Sequence, residues 1–142
     1  MYDEVVRVPL ILNWPGKMPV DASAPEMVSF YDVFPTLCEA ASVTLPADRK
    51  LCGRSFLKVA MREPLPKNET WRNIVFAHMR NTEMVRDARF KLVVRNEGKG
   101  PNEFYDLTKD RGERSNQYDN PQYVTVRDRL MKELEDWRRK TS

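Results

Sequence analysis

An apolar run near the amino end places the strongest constraint on what this chain can fold into. Residues 8–14 read Val-Pro-Leu-Ile-Leu-Asn-Trp, after the charged lead-in of residues 3–7, and the turn Pro15-Gly16 ends them. A nearly continuous apolar run of this length predicts a β-strand that is covered on both faces. Because such a strand needs neighbours, we expect it to belong to a larger parent sheet, of which this chain carries the later part.

A helix is predicted over residues 27–41, after a Pro-punctuated loop. Ser29 and Asp32 suit the N-terminal cap of this helix, and Pro35 suits a first helical turn. A shorter helix is predicted over residues 56–61, and the Pro-rich segment 63–70 is expected to be exposed. The apolar face of the longer helix is expected to comprise Val33, Phe34, Leu37 and Ala41.

Four short strands and a final helix are predicted from residue 71 onward. The strands cover residues 74–79, 82–87, 89–95 and 103–107. Because short consecutive strands joined by tight turns pair as hairpins, we predict an antiparallel sheet. The final helix covers residues 122–140, and the apolar stripe that packs it on the sheet is Tyr123, Val126, Leu130, Leu134 and Trp137.

These elements predict an α+β fold. It comprises an antiparallel four-stranded sheet packed by a C-terminal helix, preceded by a strand-helix remnant of a larger α/β domain. Residues 1–62 are predicted to be the end of that larger domain, and residues 63–142 a small antiparallel subdomain, with the seam near residues 62–70.

The charge balance and the cysteines exclude several classes of partner and site. The 24 Lys and Arg and 21 Asp and Glu residues are interspersed and give a net charge of only +3, so no nucleic-acid partner is predicted. No apolar run approaches the ~18 residues of a membrane span, so no membrane partner is predicted either. Cys38 is predicted to be a small buried hydrophobe and Cys52 a loop residue, and no Cys/His spacing typical of zinc occurs.

Five blocks of the chain, in order, resemble the sulfatases of the alkaline phosphatase superfamily. Residues 2–16 resemble the family pattern Tyr-Glu-x-x-x-Arg-Val-Pro-Leu-Ile-x-x-Trp-Pro-Gly. Residues 28–37 resemble Ser-x-x-Asp-(Leu/Val)-(Leu/Phe)-Pro-Thr-Leu, and residues 52–56 resemble Asp-Gly-x-Ser-Leu, with Cys52 in the place of Asp. Residues 86–93 resemble the pattern Arg-x-x-(Arg/Lys)-(Tyr/Phe)-Lys-(Leu/Tyr)-(Val/Ile). Residues 103–116 resemble Glu-Leu-Tyr-Asp-Leu-x-x-Asp-Pro-x-Glu-x-x-Asn, with Arg111 in the place of Pro.

The resemblance implies a reaction whose machinery lies outside this chain. Sulfatases hydrolyse sulfate esters with a formylglycine made from a Cys/Ser-x-Pro/Ala-x-Arg motif, beside a divalent cation, usually calcium, held by Asp and Asn. Neither Cys38 nor Cys52 stands in that motif, and the family's paired metal-binding Asp residues are absent from the sequence. The family's active-site Lys would fall just before Met1. We therefore predict no catalytic and no metal-binding residue in this chain, and we expect calcium and formylglycine only in the complete enzyme.

Two residues are candidates for substrate binding. His78 and Arg80 lie at the end of the strand predicted over residues 74–79, and the resemblance implies that strand ends of this subdomain help to shape the substrate pocket in the complete enzyme. Arg is well suited to oxyanions. The alternative is a half-exposed His78 that is satisfied by the backbone. In addition, Arg7 is expected to pair with Asp3 or Glu4, and residues 105–106 and 110–113 are expected to form turns and caps.

Three functions remain open at this point. The first is the C-terminal fragment of a sulfuric ester hydrolase, which completes the fold, lines one wall of the substrate cleft and is inactive alone. The second is a free-standing carbohydrate- or protein-binding module derived from a sulfatase. The third is a fragment of a related phosphodiesterase or phosphonate hydrolase. A sulfate-ester substrate is expected only in the complete enzyme, and the isolated chain is expected to self-associate. The compartment stays open between periplasmic, secreted and lysosomal.

Overall fold

The computed structural model describes residues 1–48 and 50–141. Its helices are α1 (Asp3–Val6), α2 (Phe30–Ala40), α3 (Leu57–Ala60) and α4 (Val124–Thr141), with short 3-10 turns at Asn96–Gly98 and Pro121–Tyr123. Its strands are β1 (Ile74–Met79), β2 (Thr82–Asp87), β3 (Phe90–Arg95) and β4 (Glu103–Asp106). Contacts within the chain define two compact units. We call residues 1–8 with 74–140 the sheet unit, and residues 9–73 the helical unit.

The sheet unit confirms the predicted antiparallel sheet and its packing helix. The strands run in the order β1-β2-β3-β4, and every neighbouring pair is antiparallel. One cross-strand row places Phe76 opposite Val85, Val85 opposite Leu92, and Leu92 opposite Phe104. Leu130 and Leu134 of α4 join this row in one buried core, as their helical spacing predicts. The ring of Trp137 stacks on Phe76, with centroids 5.3 Å apart.

The predicted capping of α2 is confirmed, but the position of Pro35 is not. The Ser29 hydroxyl accepts a hydrogen bond from Tyr31 N, and Asp32 accepts one from Ser29 N, which together form a capping box. The helix begins at Phe30, so Pro35 lies in its interior rather than in its first turn. Pro has no N–H to donate to the carbonyl four residues earlier, that of Tyr31. Gly53 approaches this carbonyl so closely that a Cβ would lie 1.7 Å from its oxygen, so this position requires glycine.

The strand predicted over residues 8–14 is wrong for this chain. The structure gives this segment no strand pairing, and its aliphatic side chains are exposed, Ile11 to 88%. A strand needs a neighbour for its backbone N–H and C=O groups. Among the described residues of the helical unit there is no strand, so the segment stays irregular. The charged lead-in forms the short helix α1 instead. No helix in the described part of the chain is long and apolar enough to cross a membrane.

A buried lysine joins the amino-terminal segment to the second face of the sheet. Lys91 of β3 is 0% exposed, and its ammonium group forms ion pairs with Asp3 and with Glu113. Asp3 also lies 3.2 Å from the Arg86 guanidinium, and Asp3 N donates to Glu113 Oε2 over 2.7 Å. Asp3 therefore forms its ion pairs with Lys91 and Arg86 of the sheet, whereas the sequence had predicted an ion pair with Arg7. Two carboxylates and two cations balance in this cluster, which we call the Lys91 cluster.

Replacing Lys91 tests this cluster. Lys91→Met keeps the apolar stem but leaves the carboxylates of Asp3 and Glu113 facing each other. We expect the variant to lose about 3–5 kcal/mol of unfolding free energy, because removing one partner leaves uncompensated buried charge. Urea unfolding followed by tryptophan fluorescence measures the loss. Lys132→Met makes the same change on the exposed side of α4 and should cost less than about 0.5 kcal/mol. Equal losses in the two variants would contradict the role of the cluster.

Candidate functional site

The predicted substrate-binding pair lies at the tip of the β1–β2 hairpin. His78 and Arg80 are both exposed. The His78 ring contacts the Arg80 carbonyl through Nε2, over 2.5 Å. Because a carbonyl only accepts, Nε2 carries the hydrogen and Nδ1 is left to a ligand or to water. Arg80 has a φ of 54°, the left-handed conformation that closes this tight turn. The structure thus brings both residues together, and their contact with substrate stays a prediction.

The cross-strand neighbour of His78 is engaged elsewhere. Glu83 lies opposite His78 in the register of β1 and β2. Its carboxylate binds the Arg138 guanidinium, with Nε 3.0 Å from Oε1, and this contact raises the pKa of Arg138. No carboxylate is therefore supplied to His78 by its own strand partner, and the hairpin tip presents cationic and neutral donors. Such a tip favours anionic groups over cationic ones.

A buried aspartate organises the helical unit. Asp32 is 0% exposed and accepts hydrogen bonds from Ser29 N (2.8 Å) and Arg54 N (2.9 Å), while the Arg72 guanidinium forms an ion pair with it. Thr36 Oγ1 donates to the Asp32 carbonyl over 2.6 Å and accepts from Phe56 N over 3.0 Å. Ser29, Asp32 and Thr36 come from one sequence block, and their side chains connect separate segments of this unit. The contacts of these three side chains are structural and do not indicate a catalytic role.

Next to this aspartate lies a cleft that the sequence did not indicate. Its volume is about 250 Å³. The Trp71 indole N–H donates to the Met27 carbonyl over 2.8 Å, and the Arg54 guanidinium lies 4.2 Å from the centre of the Trp71 ring. We call it the Trp71 cleft, and its lining comprises Glu39, Arg54, Ser55, Lys58, Leu65, Pro66, Glu69 and Trp71. These residues come from separate loops and helices, so no local pattern marks them as a group.

The predicted turn chemistry after β4 is confirmed. Asp106 is buried, and the Arg89 guanidinium binds it with two hydrogen bonds, Nε to Oδ1 at 3.1 Å and Nη2 to Oδ2 at 2.8 Å. Thr108 donates to Asp106 Oδ1 from both its hydroxyl (2.6 Å) and its backbone N (3.2 Å). The Arg89 contact above all holds the pKa of Asp106 well below its usual range. Asp110 likewise accepts from the backbone N of Arg114 and Ser115.

Among the described residues, the carboxylates do not fit a calcium site. In the described part of the chain, no three side chains of His, Cys, Asp or Glu come together as metal ligands. The carboxylates that do cluster, Asp3 and Glu113, share the Lys91 ammonium group instead. Cys38 and Cys52 are both free thiols. Burial raises the pKa of the Cys52 thiol, which disfavours the reactive thiolate.

The chain is similar to a part of larger enzymes. It matches the family model described as "N-sulphoglucosamine sulphohydrolase, C-terminal" over residues 1–140. It is 33% identical over 134 residues to the Delta 4,5-hexuronate-2-O-sulfatase of Bacteroides thetaiotaomicron, covering 88% of this chain and 27% of that protein. It is 26% identical over 165 residues to the Ulvan-active sulfatase of Formosa agariphila, covering 93% of this chain and 33% of that protein. The chain therefore spans about a third or less of the length of these relatives.

A solved structure shares the fold. The phosphonate monoester hydrolase of Agrobacterium radiobacter superposes with a TM-score of 0.63 at 24% identity, covering 78% of this chain and 25% of that chain. Identity at this level shows the fold alone. The likeness supports the α+β arrangement of the sheet and its packing helix.

Replacing Asp106 gives a pH-dependent test of the Asp106–Arg89 pair. The folded-state pKa lies below the unfolded value, so the charged carboxylate stabilises the fold above about pH 4, and this contribution is lost as the pH falls further. Asp106→Asn should therefore cost about 2 kcal/mol of unfolding free energy near pH 7, and clearly less near pH 3. Urea unfolding at both pH values measures this. The exposed Asp119→Asn should cost less than about 0.5 kcal/mol at either pH. A cost for Asp106→Asn that does not change with pH would contradict the assignment.

Proposed function

Because the chain belongs to the family of sulfatase C-terminal domains, we propose that it is the C-terminal portion of a sulfuric ester hydrolase and has no sulfatase activity alone. In the complete enzyme it completes the fold and forms one wall of the substrate cleft through His78 and Arg80. Calcium and formylglycine are supplied there by residues outside this chain. The match of residues 1–140 to the family model is the observation that carries the proposal.

The chemistry of sulfate-ester cleavage supports the inactivity of the isolated chain. Cleavage builds negative charge on the leaving oxygen, so it needs an activated nucleophile and a preorganised cation. Neither cysteine lies in a Cys/Ser-x-Pro/Ala-x-Arg motif, and the thiol pKa of Cys52 is raised. The relatives are three to four times longer than this chain, which leaves ample length for the catalytic residues elsewhere.

The hairpin tip supports the role in the cleft wall. His78 and Arg80 are exposed, and the carboxylate opposite His78, that of Glu83, is bound to Arg138, so the tip offers an imidazole and a guanidinium to an anionic substrate. The names of the two sulfatase relatives specify a hexuronate 2-O-sulfate and ulvan as their substrates, which are anions of this kind. A bidentate guanidinium contact suits the planar or tetrahedral oxygens of such groups.

An assay with a chromogenic aryl sulfate tests the inactivity. The purified chain should give no turnover of 4-nitrophenyl sulfate above buffer, with or without added calcium, because it lacks the nucleophile. A full-length relative that carries the Cys/Ser-x-Pro/Ala-x-Arg motif serves as the positive control. Metal-dependent turnover by the pure chain would overturn the proposal.

The DNA upstream of the Met1 codon separates the first function from the free-standing module. An open frame that encodes Cys/Ser-x-Pro/Ala-x-Arg supports the enzyme, and a stop codon with a promoter supports the module.

If the frame is open, His78→Ala and Arg80→Ala in the full-length product test the cleft wall. Each variant should raise KM about tenfold and change kcat little, because each loses one charge-assisted contact with the substrate. Lys132→Ala is the matched control. A KM that stays unchanged would remove these residues from the cleft wall.

A second candidate function is a fragment of a phosphonate or phosphodiester hydrolase. The hairpin tip supports it, because an exposed guanidinium such as that of Arg80 would receive a phosphonate as readily as a sulfate. Both classes of substrate are oxyanions, so the wall residues do not distinguish them. Relative turnover of 4-nitrophenyl sulfate and phenyl phosphonate by the full-length product decides between the two.

Exposed apolar side chains in the helical unit support self-association of the isolated chain. On α2, Phe30 is 79% exposed and Leu37 61% exposed, and Phe34, one turn from each, is also exposed. This stripe and the apolar residues 10–12 are surfaces that a soluble monomer rarely leaves uncovered. In the complete enzyme, we propose, the rest of the protein covers them, and in the isolated chain a second copy does.

Size-exclusion chromatography with light scattering tests this self-association. The apparent mass should rise above the 16.7 kDa of one chain as the concentration increases. Leu37→Asp should shift the population toward the monomer, because it places a charge within the apolar stripe, whereas Thr125→Asp on the exposed start of α4 should not. A strict monomer at all concentrations would exclude self-association.

A further inference from the structure

The Trp71 cleft presents charged groups that no other described residue engages. Lys58 on α3 is half-buried, and Glu39 and Glu69 are exposed. Within residues 1–48 and 50–141, the side chains of these three residues enter no ion pair and no hydrogen bond. Other buried or half-buried charges of the same unit do have partners, as Arg72 does with Asp32. The cleft therefore has one cation and two carboxylates that are free to bind a ligand.

The floor of the cleft is fixed before any ligand arrives. The hydrogen bond from the indole N–H to the Met27 carbonyl fixes the orientation of the Trp71 ring. Arg54 is held at three points: its backbone N donates to Asp32, its Nη2 donates to the Thr70 carbonyl over 2.7 Å, and its guanidinium lies on Trp71. A guanidinium has five N–H donors, so donors beyond the Thr70 contact remain. Side chains that are already ordered cost less entropy when they bind a ligand.

The volume and lining select the class of ligand. A cleft of about 250 Å³ lies below the roughly 300–1,000 Å³ of drug-sized pockets, so it suits one ring rather than a chain of rings. Leu65 and Pro66, beside the Trp71 ring that carries the Arg54 guanidinium, give the cleft an apolar part that suits the C–H face of a sugar ring. The cations Arg54 and Lys58 provide contacts for one anionic group.

The two carboxylates decide between a free anion and an acidic sugar. Glu39 and Glu69 balance the charges of Arg54 and Lys58, so the cleft as a whole has no excess of positive charge to attract sulfate or phosphate from solution. Ionised carboxylates accept hydrogen bonds from the several hydroxyls of a sugar, whereas sulfate has no O–H group to donate. We propose that the Trp71 cleft binds a single pyranose unit that bears one sulfate or carboxylate group, with the acidic group at Arg54 and Lys58 and the hydroxyls at Glu39 and Glu69.

This binding site goes beyond the proposed function, because it uses none of the hairpin-tip residues and requires no catalysis. It would let the chain hold an acidic glycan independently of any reaction. The chain itself suffices for the test.

Nuclear magnetic resonance of the chain labelled with ¹⁵N measures binding residue by residue. The chain has three tryptophans, Trp14, Trp71 and Trp137, so their indole N–H signals report three separate places. N-acetylglucosamine 6-sulfate should shift the Trp71 indole signal with a dissociation constant on the order of 1 mM, as expected for a single sugar unit. The neutral N-acetylglucosamine, which differs only in the sulfate, should bind about tenfold more weakly. Sodium sulfate alone should also bind about tenfold more weakly.

A charge-neutralising pair of variants tests the assignment of the anionic group. Lys58→Gln should weaken binding of the sulfated sugar about tenfold, because one charge-assisted contact is lost. Lys17→Gln removes the same charge from an exposed loop of the same unit and should leave the dissociation constant unchanged. Thermal unfolding of each variant shows whether its fold is intact. If Lys58→Gln fails to fold, Glu69→Gln on the exposed loop replaces it and should also weaken binding.

The same titration separates this proposal from the role of the hairpin tip. Binding in the cleft is supported if the indole signal of Trp71 shifts while the amide signals of His78 and Arg80 do not. If the amide signals of His78 and Arg80 shift while the Trp71 signal does not, binding in the cleft is overturned and the proposed function is unaffected. The cleft is likewise overturned by equal affinity for the sulfated and neutral sugars, by equal affinity for sulfate alone, or by a Lys58→Gln variant that binds as tightly as the parent chain.

Discussion

The buried ammonium group of Lys91 is the interaction on which the sheet unit depends most. A fully buried lysine is costly, because the charged form loses its hydration. Here two carboxylates from distant parts of the chain, Asp3 and Glu113, compensate it, and Arg86 balances the remaining charge. This arrangement holds α1 and the loop after β4 against the second face of the sheet, while α4 covers the first face with Leu130 and Leu134. Both faces of β3 are thereby buried, one by charge pairing and the other by apolar packing.

The two units are stabilised in different ways, and this difference bears on function. The sheet unit has a continuous apolar core, from Phe76 across the sheet to Leu130 and Leu134 of α4. In the helical unit, Asp32 accepts a hydrogen bond from Arg54 N and Thr36 accepts one from Phe56 N. Much of the apolar surface of this unit is exposed. This outward-facing apolar surface is the one that, in our proposal, the rest of the complete enzyme covers.

Several sequence blocks that carry the family resemblance serve the architecture. Asp3, Lys91 and Glu113 come from three blocks and meet in the Lys91 cluster. Ser29, Asp32 and Gly53 come from two others and meet around the start of α2. Asn116, in the last block, accepts from Phe104 N and Tyr118 N and so ties the loop to β4. A resemblance built on such residues identifies the fold and carries little information about the substrate, because these side chains contact other parts of the chain.

The sequence by itself determined the local elements of this protein. It predicted β1 and β2 to the residue and α4 within two residues at its start, because strand alternation, turn residues and helical spacing are properties of neighbours in the chain. It also predicted the cap at Ser29 and Asp32. Only the tertiary structure decided which charges meet, since Lys91 and Asp3 are 88 residues apart and Asp3 and Glu113 are 110 apart. The tertiary structure also decided that residues 8–14 form no strand and that the Trp71 cleft exists. Apolarity shows that a segment can be buried, but a partner strand or a facing loop must be present in space before it is.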